Sequence, residues 1–114
     1  MSQSASEAGR RVVPTATTAY GTYHFDVEPN PDIGFLRLSY DRESGRGSYV
    51  LRMAPGARTE EHTHQSREEY LILEGTLREP DGTLLGPGDH VIYEPGTRHH
   101  SRTDDGCVLI AFHW

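Results

Sequence analysis

Gly56-Ala57-Arg58-Thr59-Glu60-Glu61-His62-Thr63-His64-Gln65-Ser66-Arg67-Glu68-Glu69-Tyr70-Leu71-Ile72-Leu73-Glu74-Gly75 is the stretch that decides the fold of this chain. Two histidines and a carboxylate, His62, His64 and Glu68, fall close together between glycines. Imidazole and carboxylate together are donors for a divalent transition metal. In an extended strand alternate side chains share a face, so His62 and His64 point the same way. A merely solvated loop has no need of that spacing. The segment supplies half a metal site, and the remaining ligand must come from elsewhere in the fold.

The residues that follow the histidines read as a strand. Glu68, Tyr70 and Ile72 share one face, and Glu69, Leu71 and Leu73 share the other. The second face is apolar beyond Glu69, so a second strand layer or another subunit is expected to cover it. Upstream, residues 34–40 and 48–54 alternate in the same way and are joined by a charged, glycine-containing turn, which predicts a hairpin. Downstream, Pro80-Asp81-Gly82, Gly86-Pro87-Gly88 and Glu94-Pro95-Gly96 punctuate short apolar runs. The last run, 107–114, places Val108, Ile110 and Phe112 on one face. With 12 Gly and 7 Pro spread through 114 residues, few windows remain for a helix. The pattern predicts an all-β chain, a small barrel or jelly roll of two antiparallel sheets. Residues 12–114 form its single domain, and residues 1–11 are expected to be a disordered polar tail. The segment from Val12 to Tyr23 is expected to add an edge strand.

Composition removes several function classes. The formal charge of −6 disfavours a partner bound through nucleic-acid phosphates. All eleven basic residues are Arg, so Schiff-base chemistry on a lysine is excluded. The lone Cys107 can form no intrachain disulfide and reads as a small buried hydrophobe. No apolar run approaches the roughly 20 residues of a membrane-spanning helix. The N-terminus lacks the apolar core of a signal peptide, and a cytoplasmic location is expected.

A second segment offers the missing ligand: Gly88-x5-Glu94-Pro95-Gly96-x2-His99. A tight turn precedes the histidine at a fixed distance. His100 competes for the role, because only one of two neighbours in an extended segment faces inward. His90 and His113 read as ordinary strand histidines.

The two segments together resemble the paired motifs of the cupin superfamily. The first matches G-x5-H-x-H-x3,4-E-x6-G at every defined position. The second resembles G-x5-P-x-G-x2-H-x3-N, with Glu94 in place of the first proline and Thr103 in place of the asparagine. Arg52-Met53-Ala54-Pro55-Gly56-Ala57, the run Glu68-Glu69-Tyr70-Leu71-Ile72-Leu73-Glu74-Gly75, and Asp105-Gly106-Cys107 are more narrowly similar to the cupin domain of ChrR-type anti-sigma factors. That likeness covers about residues 34–113 and lacks the helical, sigma-binding domain of those proteins. The resemblance implies a double-stranded β-helix, a jelly-roll barrel that pairs as a homodimer. It implies that His62, His64, Glu68 and His99 hold one metal ion and that His100 does not.

Three imidazoles and one carboxylate leave two positions open on an octahedral ion. Such a site suits Fe(II), and Mn, Ni, Co or Zn can also occupy it. The expected function is a non-haem, dioxygenase-type enzyme acting on a small chelating molecule such as a diketone or hydroxyketone. A metal-dependent lyase, isomerase or cyclase uses the same ion as Lewis acid. A non-enzymatic zinc or ligand sensor of the ChrR type is the rival class. Two further residues are candidates for the chemistry. Tyr70 shares the parity of Glu68 and is placed to donate a hydrogen bond or a proton. Arg52, like Arg37, would clamp an anionic substrate if the polar face of its strand looked into the barrel.

Overall fold

A computed structural model of the chain describes residues 4–5, 9–23, 29–63 and 65–114. The described residues form strands and no helix. In chain order the strands are β1 (Ser4–Ala5), β2 (Arg11–Val12), β3 (Gly21–Tyr23), β4 (Asn30–Arg37), β5 (Gly47–Met53), β6 (His62–Thr63), β7 (Glu68–Gly75), β8 (Leu77–Arg78), β9 (Leu84–Leu85), β10 (His90–Tyr93), β11 (Arg98–His99) and β12 (Cys107–His113). Within the N-terminal tail, β1 pairs with β2, while residues 1–3 and 6–8 lie outside the described residues. No helix among the described residues is long and apolar enough to cross a membrane.

Six strands make the main sheet, in the order β10-β7-β12-β5-β4-β3, with every neighbouring pair antiparallel. The expected hairpin is β4–β5, closed by the turn in which Asp41 bridges Arg46. The expected N-terminal edge strand is β3. A second wall is built from short pairs, β6 with β11 and β8 with β9. Arg102 joins them by bridging Arg58 and Arg78, and Thr59 pairs with Ser101 beside that bridge. This is the two-sheet architecture that the turn spacing predicts.

Strand alternation sorts the side chains. Tyr49, Leu51 and Met53 of β5, Tyr70 and Ile72 of β7, and Cys107, Leu109 and Ala111 of β12 point into the core with Ile33 and Leu77. Burying an aliphatic side chain such as Ile33, Ile72 or Leu77 stabilises the fold by about 1.5–3 kcal/mol each. Val108, Ile110 and Phe112 share a face as expected, and it is the outer face of the sheet; Phe112 stacks on Trp114 there at 6.4 Å. On β7, Leu71 is half-buried and Leu73 is 45% exposed, so no second strand layer of the described chain covers that face.

Gly75 shows why the first motif ends on glycine. Its φ of 75° lies in the left-handed region, and a Cβ there would land on the carbonyl oxygen of Gly106. The turn lets β7 leave the main sheet and feed β8 in the second wall.

The second motif is stitched to the first through Thr103. Its carbonyl accepts from Gly56 N at 3.0 Å, its N–H donates to Ala57 O at 2.9 Å, and its hydroxyl accepts from Gly106 N at 2.9 Å. The hydroxyl thus fixes the loop before β12.

Candidate metal centre

The two walls enclose a cavity of about 860 Å³ that is open to solvent. His62 enters it from β6, Glu68 from the first residue of β7, and His99 from β11. One ligand atom from each of these three residues lies within 4.8 Å of the others. The register explains the convergence: His62 and His99 are direct partners across the β6–β11 pair, and their rings meet edge to face at 4.7 Å. His64 lies outside the described residues. His99 is buried at 6% exposure, whereas its neighbour His100 is half-buried and stands outside the cluster of described ligand atoms. The strand alternation separates the two histidines as the parity argument requires.

Each histidine has its Nδ1 engaged away from the cluster. His62 Nδ1 donates to the carbonyl oxygen of Glu60 at 2.8 Å. His99 Nδ1 faces Glu79 Oε2 at 3.4 Å, while its Nε2 stands 3.6 Å from Glu68 Oε1. A carbonyl or carboxylate on Nδ1 fixes the tautomer that presents Nε2 to a metal. The donor set therefore fits a divalent ion. Burial alone would push the His99 imidazolium toward its neutral form. The Glu68 and Glu79 carboxylates at its two ring nitrogens outweigh that and raise its pKa to about 9.

The second oxygen of Glu68 is also engaged. Glu68 Oε2, Tyr49 Oη and His113 Nε2 form a triangle with edges of 3.5, 3.2 and 2.8 Å. Burial, then the nearby Glu68 charge, drives the Tyr49 pKa well up, so this phenol stays protonated. His113, read from sequence as an ordinary strand histidine, is in fact a wall of the site. Parity would have revealed it, since Cys107, Leu109 and Ala111 face inward and His113 continues their row.

Tyr70 is a core residue that also borders the cavity, with its hydroxyl bonded to Glu79. Burial and the adjacent Glu79 carboxylate raise its pKa. Glu79 itself was not singled out by sequence. It opens the turn after β8 and looks like one more turn acid, but it shares the inward parity of Leu77. Arg52 is corrected by the structure. Leu51 and Met53 face inward, so Arg52 projects from the outer face, exposed, with its guanidinium 4.4 Å over the ring of Tyr20. Arg37 is exposed as well. The Glu94 departure also has an account: Glu94 pairs with Arg67 at 3.3 Å across the cavity rim and so ties the two motifs together.

The base of the cavity is apolar, formed by Leu51, Met53, Leu77 and Leu109, and its aromatic side includes Tyr23, Tyr40, Tyr49 and Tyr70. Polar ligand atoms beside an apolar lining describe a pocket for a small organic molecule with one chelating end.

The chain belongs to the family of ChrR cupin-like domains, which matches residues 14–114. Dimethylsulfoniopropionate lyase DddQ of Ruegeria pomeroyi is 34% identical over 71 residues, 59% of this chain and 35% of the lyase. The chain thus spans about a third of the length of that curated relative. Among solved structures, a candidate ethanolamine utilization protein Q of Salmonella typhimurium aligns at a TM-score of 0.75 and 15% identity, covering 98% of this chain and 91% of that one. An acetylacetone dioxygenase of Acinetobacter johnsonii aligns at a TM-score of 0.63 and 15% identity, covering 71% and 59%. At these identities the two structures share the fold with this chain.

Proposed function

We propose that this member of the ChrR cupin-like family is a mononuclear metal-dependent enzyme acting on a small chelating organic molecule. His62, His64, Glu68 and His99 would hold the ion. The observation that carries the reading is the convergence of His62, Glu68 and His99 at the wall of a solvent-open cavity of about 860 Å³. A divalent ion held there supplies Lewis acidity, which acidifies a carbon or hydroxyl of a chelated substrate. Fe(II) is favoured for a reaction with O2, and Zn, Mn, Ni or Co suit the same donors.

The chain's own residues define the rest. Tyr49 and Tyr70 keep their protons at neutral pH, and they direct them to Glu68 and Glu79, so the two phenols hold those carboxylates in place beside the cavity. The Tyr49–His113 pair, 2.8 Å apart, is the group beside Glu68 able to take up or return a proton. The apolar base excludes water from the end of the substrate away from the ligands. Within this reading, dioxygenation of a diketone or hydroxyketone is the first reaction. Its support is a shared fold with a dioxygenase. Elimination is the second, supported by the likeness to a lyase together with the Tyr49–His113 pair. The apolar outer face that carries Leu73 and Ile92, 45% and 53% exposed, fits the homodimer expected of the family.

The test starts from chelator-stripped protein reloaded anaerobically with Fe(II), Zn or Co. Oxygen uptake is followed with β-diketones and hydroxyketones. Dimethyl sulfide release from dimethylsulfoniopropionate is followed in parallel. Uptake supports the dioxygenase, and sulfide release without uptake supports the lyase. Tight zinc binding with no turnover on any of them would sink both and leave the sensor reading.

A further inference from the structure

Glu79 is the buried charge for which the proposed chemistry has no task. It is 8% exposed and lies in the second wall, opposite the main sheet. Its Oε1 accepts from the Tyr70 hydroxyl, and its Oε2 accepts from Ser101 Oγ at 2.7 Å and faces His99 Nδ1 at 3.4 Å. Burying a carboxylate is costly unless charge and hydrogen bonds compensate it. Three donors converge here from three different strands or loops, and that arrangement holds the charge in place. The opposite side of Glu79 borders a smaller cavity of about 310 Å³, shared with Tyr93 and His99. Tyr93 stacks on the His99 ring at a centroid distance of 4.1 Å.

We infer that Glu79 is a positioning residue of the metal centre, fixing His99 as the Nδ1–H tautomer and holding Tyr70 against the same carboxylate. The inference rests on the metal reading. The physical reason is the donor inventory. A carboxylate only accepts, and both ring nitrogens face one; Glu79 lies within hydrogen-bond reach of Nδ1 at 3.4 Å, whereas Glu68 stands beyond it at 3.6 Å from Nε2, so a neutral ring keeps its proton on Nδ1 and its lone pair on Nε2. Tyr93, stacked on its face, keeps the ring from tipping out of its plane, and His62 packs against its edge. One residue thus couples the orientation of a ligand to that of the cavity tyrosine.

The experiment uses the full chain with Glu79→Gln and Glu79→Ala. Co(II) affinity is measured by competition with a chelator, and the His99 tautomer by ¹⁵N spectra of the imidazole in metal-free protein, taken where a pH series shows the ring neutral. Glu79→Ala should lower affinity by about 10- to 100-fold and mix the two tautomers. Glu79→Gln keeps an acceptor oxygen, so it should keep the tautomer and lose less affinity. If Glu79→Ala fails to fold, as judged by thermal unfolding, Glu79→Gln and the wild-type spectrum still decide. Wild-type affinity in both folded variants, or a wild-type His99 carrying its proton on Nε2, overturns the inference. Wild-type protein that binds no metal instead overturns the metal reading, and the tautomer spectra then decide the role of Glu79 alone.

Discussion

Metal uptake by this protein should depend steeply on pH, because His99 must release a proton to become a ligand. In the metal-free protein the carboxylates of Glu68 and Glu79, at 3.6 and 3.4 Å from the two ring nitrogens, hold His99 protonated up to a pKa of about 9. At pH 7 only about one molecule in a hundred then carries the neutral imidazole. Affinity for Co(II) at pH 7 should therefore lie about 100-fold below its alkaline limit and climb about tenfold per pH unit from roughly pH 6.5 to 8.5. The same shift sets the stability of the metal-free protein. The folded-state pKa is raised above the ordinary 6.5, so the stabilisation is complete below about pH 6.5 and is lost as pH rises through about 9. Its size is about 3 kcal/mol at most. Chelator competition across that range, with thermal unfolding of stripped protein in the same buffers, measures both. His99→Gln should flatten the stability profile. An affinity that is level from pH 6.5 to 8.5, or metal-free stability that does not fall toward pH 9.5, would refute the reasoning.

Substituting His99 by Ala should abolish tight metal binding, while His100→Ala should leave it within a fewfold, as read by metal content after dialysis; equal loss would show the wrong ligand. Arg52→Ala should leave metal affinity and turnover unchanged, because this side chain lies outside the barrel over Tyr20; thermal unfolding should register only about 0.5–1 kcal/mol from the lost cation–π contact. Gly75→Ala should destabilise by clearly more than the about 1 kcal/mol of an ordinary backbone substitution, since the left-handed φ and the Gly106 carbonyl both oppose a Cβ. A denaturant midpoint equal to wild type would contradict that geometry.

The sequence by itself determined what local chemistry and periodicity encode. Parity along 68–74 put Glu68, Tyr70 and Ile72 on one face, and all three are buried. The turn residues placed the hairpins, while the choice of His99 over His100 came from the family resemblance and not from the turn itself. The same parity rule was silent on which face of a strand is the inside. For Arg52 that choice turned on Leu51 and Met53 having a partner sheet to pack against, and the polar face went out. Phe112 went out for the same reason, while His113 went in. Nor does periodicity say which distant groups meet. Tyr49 and His113 are 64 residues apart, and Glu79 is 20 from His99, yet each pair shares a hydrogen-bond network with a residue proposed to hold the metal. Their roles exist only where β5, β12 and the second wall close around Glu68 and His99. A buried carboxylate is recognisable only from the donors that tertiary structure brings to it.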